Sequence, residues 1–411
     1  MLSEVFVRPT SIAHLQAGPL GPYVEGFASE MKSEGYSFET IRKKIRIVNR
    51  LSLWLKRRRL PASALCEAQL DEFLRPRERQ RGSVPGTVMS LLEHLRRSGV
   101  VCRPRPARSL TPSELVERRF SDYLAKERLL ANSTRVVYLE RVRRFLTDQY
   151  GNGPTRFARL TASEITGFVS RYARDHDRCP ASAKPMTTAL RSFLRFLRHE
   201  GEIDRDLAGC VPTVPSWTQA RVPESLRPRE VRRVLHTCDQ RTHAGRRNRA
   251  ILLLLSRLGL RACEIRALSC DDIDWSVGEI TVRGKGGRRD RLPMPSDVGA
   301  ALAAYARLDR PPCESREFFV MARAPYRRLA GSESIGQVVR RAVRRAGLQP
   351  HRTGAHLLRH TAATQMLRRG ASLAQIGEIL RHRRADTTAI YAKVDLSKLR
   401  LLAVRWPKGT L

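Results

Sequence analysis

The stretches HLLRHTAATQMLRRG (356–370) and ILRHRRADTTAIYAKV (379–394) decide how this chain is interpreted. The first places His356 and Arg359 three residues apart, which puts both side chains on one face of a helix. The second places Tyr391 nine residues after a histidine. A lone tyrosine or histidine is usually a structural residue, but here several reactive groups lie close together in the sequence. The pattern therefore predicts a site formed by side chains from successive helices.

Two earlier stretches add cations to this set. LGLRACEI (258–265) has Arg261 and Glu264 three residues apart at the start of a predicted helix. GKGGRRDRLPM (284–294) places Lys285 at the glycine-rich tip of a predicted β-hairpin, in a part of the chain that otherwise uses arginine. Arginine cannot release its proton near neutral pH, whereas a lysine ammonium can. The lysine is therefore a candidate general acid.

Together these groups meet the needs of phosphodiester transesterification. Guanidiniums bind the nonbridging oxygens of a phosphate and the charge that develops on them. A tyrosine hydroxyl supplies a nucleophile, and its phosphoryl ester conserves the energy of the broken bond. The lysine or a histidine can protonate the leaving 5′-oxygen. We therefore expect the reaction to need neither a metal ion nor a nucleotide cofactor.

The four stretches resemble the successive signature boxes of the tyrosine recombinases, the phage-integrase group, over about residues 225–400. They occur in that family's order and at ordinary spacing, which is far more specific than any single motif. The resemblance implies that Tyr391 is the nucleophile. It also implies an activating set made of Arg261, Lys285, His356, Arg359 and His382.

The resemblance assigns two supporting residues and shows two departures. Glu264 is implied to be a supporting acid, and His360 is implied to help position the helix that carries Arg359. Members of the family often have glycine before the histidine of the last of these boxes, where this chain has Arg381, so the tight turn there is expected to differ. The common acid after the first histidine is replaced by Leu357. Neither change removes a reacting group, so we expect an active enzyme.

By resemblance, the reaction is strand cleavage that gives a 3′-phosphotyrosine and a free 5′-hydroxyl, followed by attack from a partner strand. The active assembly is implied to be a homo- or hetero-tetramer on two DNA sites. Two alternatives remain: relaxation of DNA in the manner of a type IB topoisomerase, and a DNA-binding accessory subunit with little catalysis. Integration, excision and chromosome-dimer resolution fit the sequence alike, although an additional N-terminal unit favours a mobile-element recombinase.

That additional unit arises from an apparent duplication. Thr40, Ile45, Val48 and Leu51 have apolar or matching counterparts 94 residues later, and SLLEHLRRSG (90–99) is similar to SFLRFLRHEG (192–201). Apolar positions that stay in step across three helices indicate a repeated helical unit. Arginines and lysines between the apolar positions form basic stripes that suit DNA phosphates: Arg42, Lys43, Lys44, Arg46, Arg135, Arg141, Arg143 and Arg144.

The predicted fold is therefore multi-domain and mainly α, with a small antiparallel β-sheet in the catalytic domain. We expect an N-terminal helical DNA-binding domain of the arm or accessory type over 1–105. A helical domain similar to the family's core-binding domain follows over 112–205. A proline-containing linker (206–224) then leads to the catalytic domain (225–411).

Composition supports a polyanionic partner. The 411 residues contain 77 Lys and Arg against 40 Asp and Glu, a formal net charge of +37. A preference for arginine over lysine explains the type of base but not the shortage of acids, so double-stranded DNA is the expected partner. The eight cysteines are scattered without zinc-ligand spacing, which is typical of reduced thiols. With no signal-like or membrane-spanning apolar run, we expect a cytoplasmic protein with no membrane contact.

Overall fold

The computed structural model describes residues 1–75, 84–102, 110–151, 153–175, 183–213, 222–284, 287–382 and 384–394. Within these ranges the chain is mostly helical, with one small antiparallel sheet, so the predicted fold class is confirmed. The chain divides into two compact units: Met1–Arg103 with Val222–Leu411, and Pro104–Arg221. No helix in the described ranges is long and apolar enough to cross a membrane.

The N-terminal helices pack around a core of their own. Helix α4 shows why, because its apolar residues Ile41, Ile45, Val48 and Leu51 recur at helical spacing and are all buried. The helix begins after Ser37, whose side-chain oxygen accepts a hydrogen bond from the amide of Thr40. The helices of this segment are α1 (Leu2–Val5), α2 (Pro9–Gln16), α3 (Gly21–Ser33), α4 (Phe38–Arg57), α5 (Glu67–Leu74) and α6 (Val84–Arg97).

The second compact unit repeats the order of elements from α3 to α6. In both, a short 3₁₀ turn separates the second helix from the third, at Ala62–Ala64 and at Phe157–Arg159. The last helix of each set is followed by a glycine with positive φ, Gly99 at 70° and Gly201 at 72°. The matching order and helix ends agree with the repeat seen in the sequence. The helices are α7 (Pro112–Lys126), α8 (Asn132–Tyr150), α9 (Ala162–Asp175) and α10 (Ala183–His199).

The segment after α10 is partly built into this second core. Leu207, Ala208 and Val211 lie within the predicted linker 206–224, yet all three side chains are buried among the helices α7–α10. The apolar residues explain this packing, because a solvated linker would leave them exposed to water. The described start of that segment therefore belongs to the helical unit.

The C-terminal segment surrounds the apolar helix α12, whose run from Ala250 to Leu255 is entirely buried. The sheet has the order β1–β2–β3, and Ile280 of β2 pairs with Leu292 of β3. The sequence predicts a last helix over 387–394, but the chain forms the short α18 and a 3₁₀ turn, Ala392–Val394, around Tyr391. The elements are α11 (Pro228–His236), α12 (His243–Arg257), α13 (Ala262–Ala267), β1 (Ile273–Asp274), β2 (Glu279–Arg283), β3 (Arg289–Pro293), α14 (Ser296–Leu308), α15 (Ser332–Arg345), α16 (Ala355–Arg368), α17 (Leu373–Ile379) and α18 (Ala385–Ala389).

The N-terminal helices touch the C-terminal segment at the turn after α3. Glu34 accepts a hydrogen bond from the Arg327 guanidinium at 3.0 Å. Gly35 has a φ of 82°, and a Cβ built there would lie 2.4 Å from a ring carbon of Tyr326. A side chain at position 35 would therefore clash with the tyrosine ring as well as strain the backbone.

Candidate active site

Arg359, on helix α16, holds two loops together. Its guanidinium donates to the carbonyl of Gly259, just before Arg261, and to the carbonyl of Leu380 at 2.6 Å. The residue is only 5% exposed. Burial, with the nearby charge of Arg261, lowers the pKa of Arg359 to about 10, so its side chain remains a cation at neutral pH. Arg359 thus joins the stretches 258–265 and 379–394 through their backbone carbonyls.

Arg261 and Glu264 form the start of helix α13. The Arg261 amide donates to Oε2 of Glu264 at 2.8 Å, and the Arg261 guanidinium donates to Oε1 at 2.6 Å. The carboxylate of the third helical residue thus caps the helix start, because it accepts a hydrogen bond from the backbone amide of the residue before the helix. Burial acts to raise the pKa of Glu264, but hydrogen bonding from Arg261 and the charge of Arg381 outweigh it and lower the pKa. Glu264 is therefore ionised, and its carboxylate accepts hydrogen bonds from both the amide and the guanidinium of Arg261.

Tyr391 lies inside the site and contacts two histidines. Its hydroxyl shares a hydrogen bond of 2.8 Å with Nδ1 of His360. Its ring lies nearly parallel to that of His382, at an angle of 7° and a centroid distance of 6.5 Å. The tyrosine is 1% exposed. Burial raises its pKa to about 12, although the charge of Arg359 acts in the opposite direction. The phenol is therefore neutral at pH 7 and must lose a proton to react.

The three histidines are all neutral at pH 7. Burial, followed by the charges of neighbouring residues, lowers the pKa of His360 and of His382 to about 4. The pKa of His356 is lowered by burial and then by Arg359. The His382 Nδ1 atom shares a hydrogen bond of 2.7 Å with the hydroxyl of Thr388, which fixes the orientation of the ring. Neutral imidazoles can accept a proton or donate an N–H hydrogen bond to a phosphate oxygen.

Proteins of similar sequence show which family the chain belongs to. Residues 118–201 match the phage integrase N-terminal SAM-like domain, and residues 224–398 match the phage integrase family. Over 394 residues, 95% of each chain, the sequence is 38% identical to an integrase/recombinase of Sinorhizobium fredii, y4rA. It is 31% identical to the tyrosine recombinase XerC of Oceanobacillus iheyensis, over 70% of this chain and 94% of XerC. The chain belongs to the phage integrase family of tyrosine recombinases.

The fold of the recombinase agrees with this assignment. A solved structure of the XerH site-specific recombinase, bound to palindromic difH substrate in a post-cleavage complex, aligns with a TM-score of 0.56. The alignment covers 74% of this chain and all of that chain, at 19% sequence identity. The similarity therefore extends over most of the recombinase at the level of the fold.

Seven of the eight site residues expected from the sequence are brought together by α13, α16 and the segment 380–391. Lys285 lies outside the described residues, so its role stays a prediction. Its neighbours on the hairpin are placed: the Gly284 amide donates to the Arg288 carbonyl at 2.7 Å. Within the described ranges, no cluster of three His, Cys, Asp or Glu side chains is arranged to hold a metal ion.

Two contacts of the recombinase site are not predicted by the sequence. His360 was interpreted only as a support for the helix that carries Arg359, whereas its ring is hydrogen-bonded directly to Tyr391. Nothing in the sequence marks Thr388, whose hydroxyl orients His382. A threonine six residues after a histidine carries no recognisable pattern. The histidine next to Arg359 was visible in the sequence, but its partner is 31 residues away.

Proposed function

We propose that this recombinase performs site-specific recombination by cutting double-stranded DNA through a 3′-phosphotyrosine on Tyr391. The observation that carries the proposal is the hydrogen bond between the Tyr391 hydroxyl and His360, beside the cation of Arg359. A nucleophile in contact with a neutral base, next to a cation for the phosphate, is what strand cleavage requires.

The chemistry balances without a cofactor. The Tyr391 oxygen forms a bond to the scissile phosphorus, its proton passes to His360, and the bond from phosphorus to the 5′-oxygen breaks. Lys285 protonates the leaving 5′-oxygen. Arg261 and Arg359 bind the nonbridging oxygens, whose charge rises in the transition state. Attack by a 5′-hydroxyl reverses these steps on a new strand, because the phosphotyrosine keeps the energy of the original bond.

The proposed partner is double-stranded DNA held by two recombinase domains. The XerH structure is a complex with its difH DNA, and the catalytic fold of this chain is similar. We assign residues 112–205 to a core-binding domain and 225–411 to the catalytic domain, with four protomers, alike or mixed, on two sites.

The biological role we favour is integration or excision of a mobile element. The relative from Sinorhizobium fredii is named as an integrase/recombinase, and the similarity covers nearly the whole of both chains. The alignment with XerC covers 94% of XerC but only 70% of this chain. The recombinase thus carries an additional segment of about the size of its N-terminal helical unit, which suits the recognition of extra DNA sites.

A plasmid assay tests the proposed function. The sites are first located by footprinting the protein on DNA that flanks its gene. A supercoiled plasmid with two such sites should yield deletion or inversion products, and a plasmid with one site should yield none. Relaxation that proceeds equally with no site would support a topoisomerase, and binding without any strand cleavage would support an accessory subunit.

The N-terminal unit is proposed to bind DNA through an exposed face of α4. Arg46 and Arg50 are exposed and four residues apart. Arg46 belongs to the predicted stripe, and two other residues of that stripe are engaged within the unit: Arg42 donates to the Val5 carbonyl, and Lys43 pairs with Glu39. Charge reversal at either exposed arginine should therefore weaken DNA binding without disturbing the fold.

We expect Arg46→Glu or Arg50→Glu to lower the affinity for the DNA site by about 10-fold at moderate salt, because a phosphate contact is lost and a repulsion is added. Adduct formation at saturating protein should be unchanged. Fluorescence anisotropy measures the affinity, and Arg8→Glu, an exposed residue of the same unit outside this helix, is the matched control. If all three substitutions lower the DNA affinity equally, binding depends on the net charge of the protein and not on this face of α4.

A further inference from the structure

Arg381 stands where the family often has glycine, and its backbone shows why glycine suits the position. Its φ is 54°, in the left-handed region that disfavours side chains. Its side chain is nevertheless buried in the site, where the guanidinium donates to Oε2 of Glu264 at 2.7 Å. A second nitrogen donates to the carbonyl of Ile379 at 3.0 Å. A large charged residue is thus held in a conformation that glycine would adopt more easily.

The contacts of Arg381 close a ring with two residues of the proposed active site. The Arg261 guanidinium donates to the backbone carbonyl of Arg381 at 3.0 Å, and to Oε1 of Glu264. Arg381 in turn donates to the other oxygen of Glu264. The ring ties the start of α13 to the residue directly before His382. It therefore fixes the position of the loop relative to Arg261.

The ring also sets the charge near the scissile phosphate. One carboxylate, Glu264, is shared by two guanidiniums, so the three side chains carry a net charge of +1. Without Arg381, Glu264 would pair one-to-one with Arg261 and largely neutralise it. With Arg381 present, the group that contains Arg261 keeps a net positive charge, so it attracts a phosphate more strongly than a neutral Arg261–Glu264 pair would.

We propose that Arg381 is a positioning residue for strand cleavage. By sharing Glu264 with Arg261, it fixes the Arg261 guanidinium and leaves positive charge available to the scissile phosphate. This inference rests on the proposed function, because it concerns the same cleavage step. Arg381 itself acts through Arg261 and is not required to touch the DNA.

The test compares Arg381→Gly with the parent on a duplex nicked close to the scissile phosphate. Glycine suits the positive φ, whereas the buried pair with Glu264 is lost, so a thermal unfolding curve is recorded beside the cleavage assay to show that the variant is folded. We expect its single-turnover cleavage at saturating protein to fall about 10- to 100-fold, on the scale of a lost electrostatic contact in a transition state. Its Kd for DNA should change less than about twofold, since most phosphate contacts lie elsewhere. Arg381→Lys should recover part of the rate.

Arg59→Gly is the matched control. Arg59 also has a positive φ, 57°, but it is exposed at the end of α4. The change relieves the same backbone strain without touching the site, so cleavage should stay at the parental rate. Parental cleavage by Arg381→Gly, or an equal loss in Arg59→Gly, would overturn the inference.

A neutral substrate separates positioning from general damage. A methylphosphonate at the scissile position removes the nonbridging charge that Arg261 is proposed to bind. The defect of Arg381→Gly should shrink on this substrate if the residue acts through Arg261. An equal defect on both substrates would show that Arg381 serves only the structure, and would refute the proposal.

A double variant tests the shared carboxylate. In the Arg381→Gly background, Glu264→Gln removes the charge that would neutralise Arg261, so it should restore part of the lost rate. If the two substitutions lower the cleavage rate by factors that simply multiply, the two arginines do not act through a shared Glu264 carboxylate. If the parent itself forms no adduct on either substrate, the proposed function fails. If the parent cleaves and only the Arg381 results disagree, the failure is confined to this inference.

Discussion

Tyr391→Phe is expected to bind its DNA site with parental affinity and to form no covalent adduct. The change removes only the hydroxyl and keeps the ring that packs in the site with the ring of His382. Loss of a nucleophile typically lowers the rate by about 10⁴-fold or more. The measurement uses a duplex nicked just beyond the scissile phosphate, so that the parent is trapped as an adduct that survives denaturant.

Tyr326→Phe is the matched control for this experiment. Tyr326 is a partly exposed tyrosine of the catalytic segment whose ring packs beside Gly35. Tyr305 is a less direct control because its ring is buried and its hydroxyl lies 3.5 Å from the amide of Val320. The parental yield of adduct from Tyr391→Phe would refute the proposed nucleophile. Loss in Tyr326→Phe would indicate a folding defect instead.

Lys285→Arg should slow strand cleavage by about 10²- to 10³-fold, the usual scale for a lost general acid. Arginine keeps the charge but cannot give up its proton at neutral pH. The defect should nearly vanish on a substrate with a 5′-bridging phosphorothiolate, because a sulfur leaving group departs without protonation. Single-turnover cleavage of both substrates measures the two losses.

Lys56→Arg, an exposed residue near the end of α4, makes the same chemical change far along the chain and should leave both rates unchanged. If Lys285→Arg loses the same factor on the oxygen and sulfur substrates, the lysine serves binding or positioning. The general acid would then be another residue of the site.

The sequence predicts helices well where buried apolar residues recur every three or four positions. In α4, one apolar stripe repeats over about four turns, and every predicted position is buried. The region around Tyr391 was predicted as a single helix over 387–394, but the chain forms two short pieces there. The hydrogen bond between Tyr391 and His360, on another helix, holds the tyrosine at the break between them. A tertiary contact of this kind leaves no periodic signal.

The basic stripes show a second limit of sequence reasoning. Arg141, Arg143 and Arg144 were predicted to face DNA phosphates. In the structure, Arg143 pairs with the largely buried Glu117, while Arg141 and Arg144 contact Glu140. Glu117 lies 26 residues before Arg143 in the chain, so the pairing depends on how α7 packs against α8. A count of charges along one helix cannot reveal such a partner.

The site itself was predicted as a set of reacting groups but not as a network. In the sequence Arg381 is only a departure from the family pattern, because its bond to Glu264 joins residues 117 positions apart. Positive φ at a non-glycine residue is likewise invisible in a sequence. The reacting groups are recognisable because chemistry restricts their types, whereas the residues that hold them are chosen by three-dimensional packing.

Mapping the covalent adduct tests the central claim most directly. Trypsin should release the peptide ADTTAIYAK, residues 385–393, in which Tyr391 is the only tyrosine. After the parent is trapped on the nicked duplex and the DNA is digested, mass spectrometry should find the remaining nucleotide on that peptide and place it on Tyr391. A nucleotide attached to any other residue would contradict the mechanism.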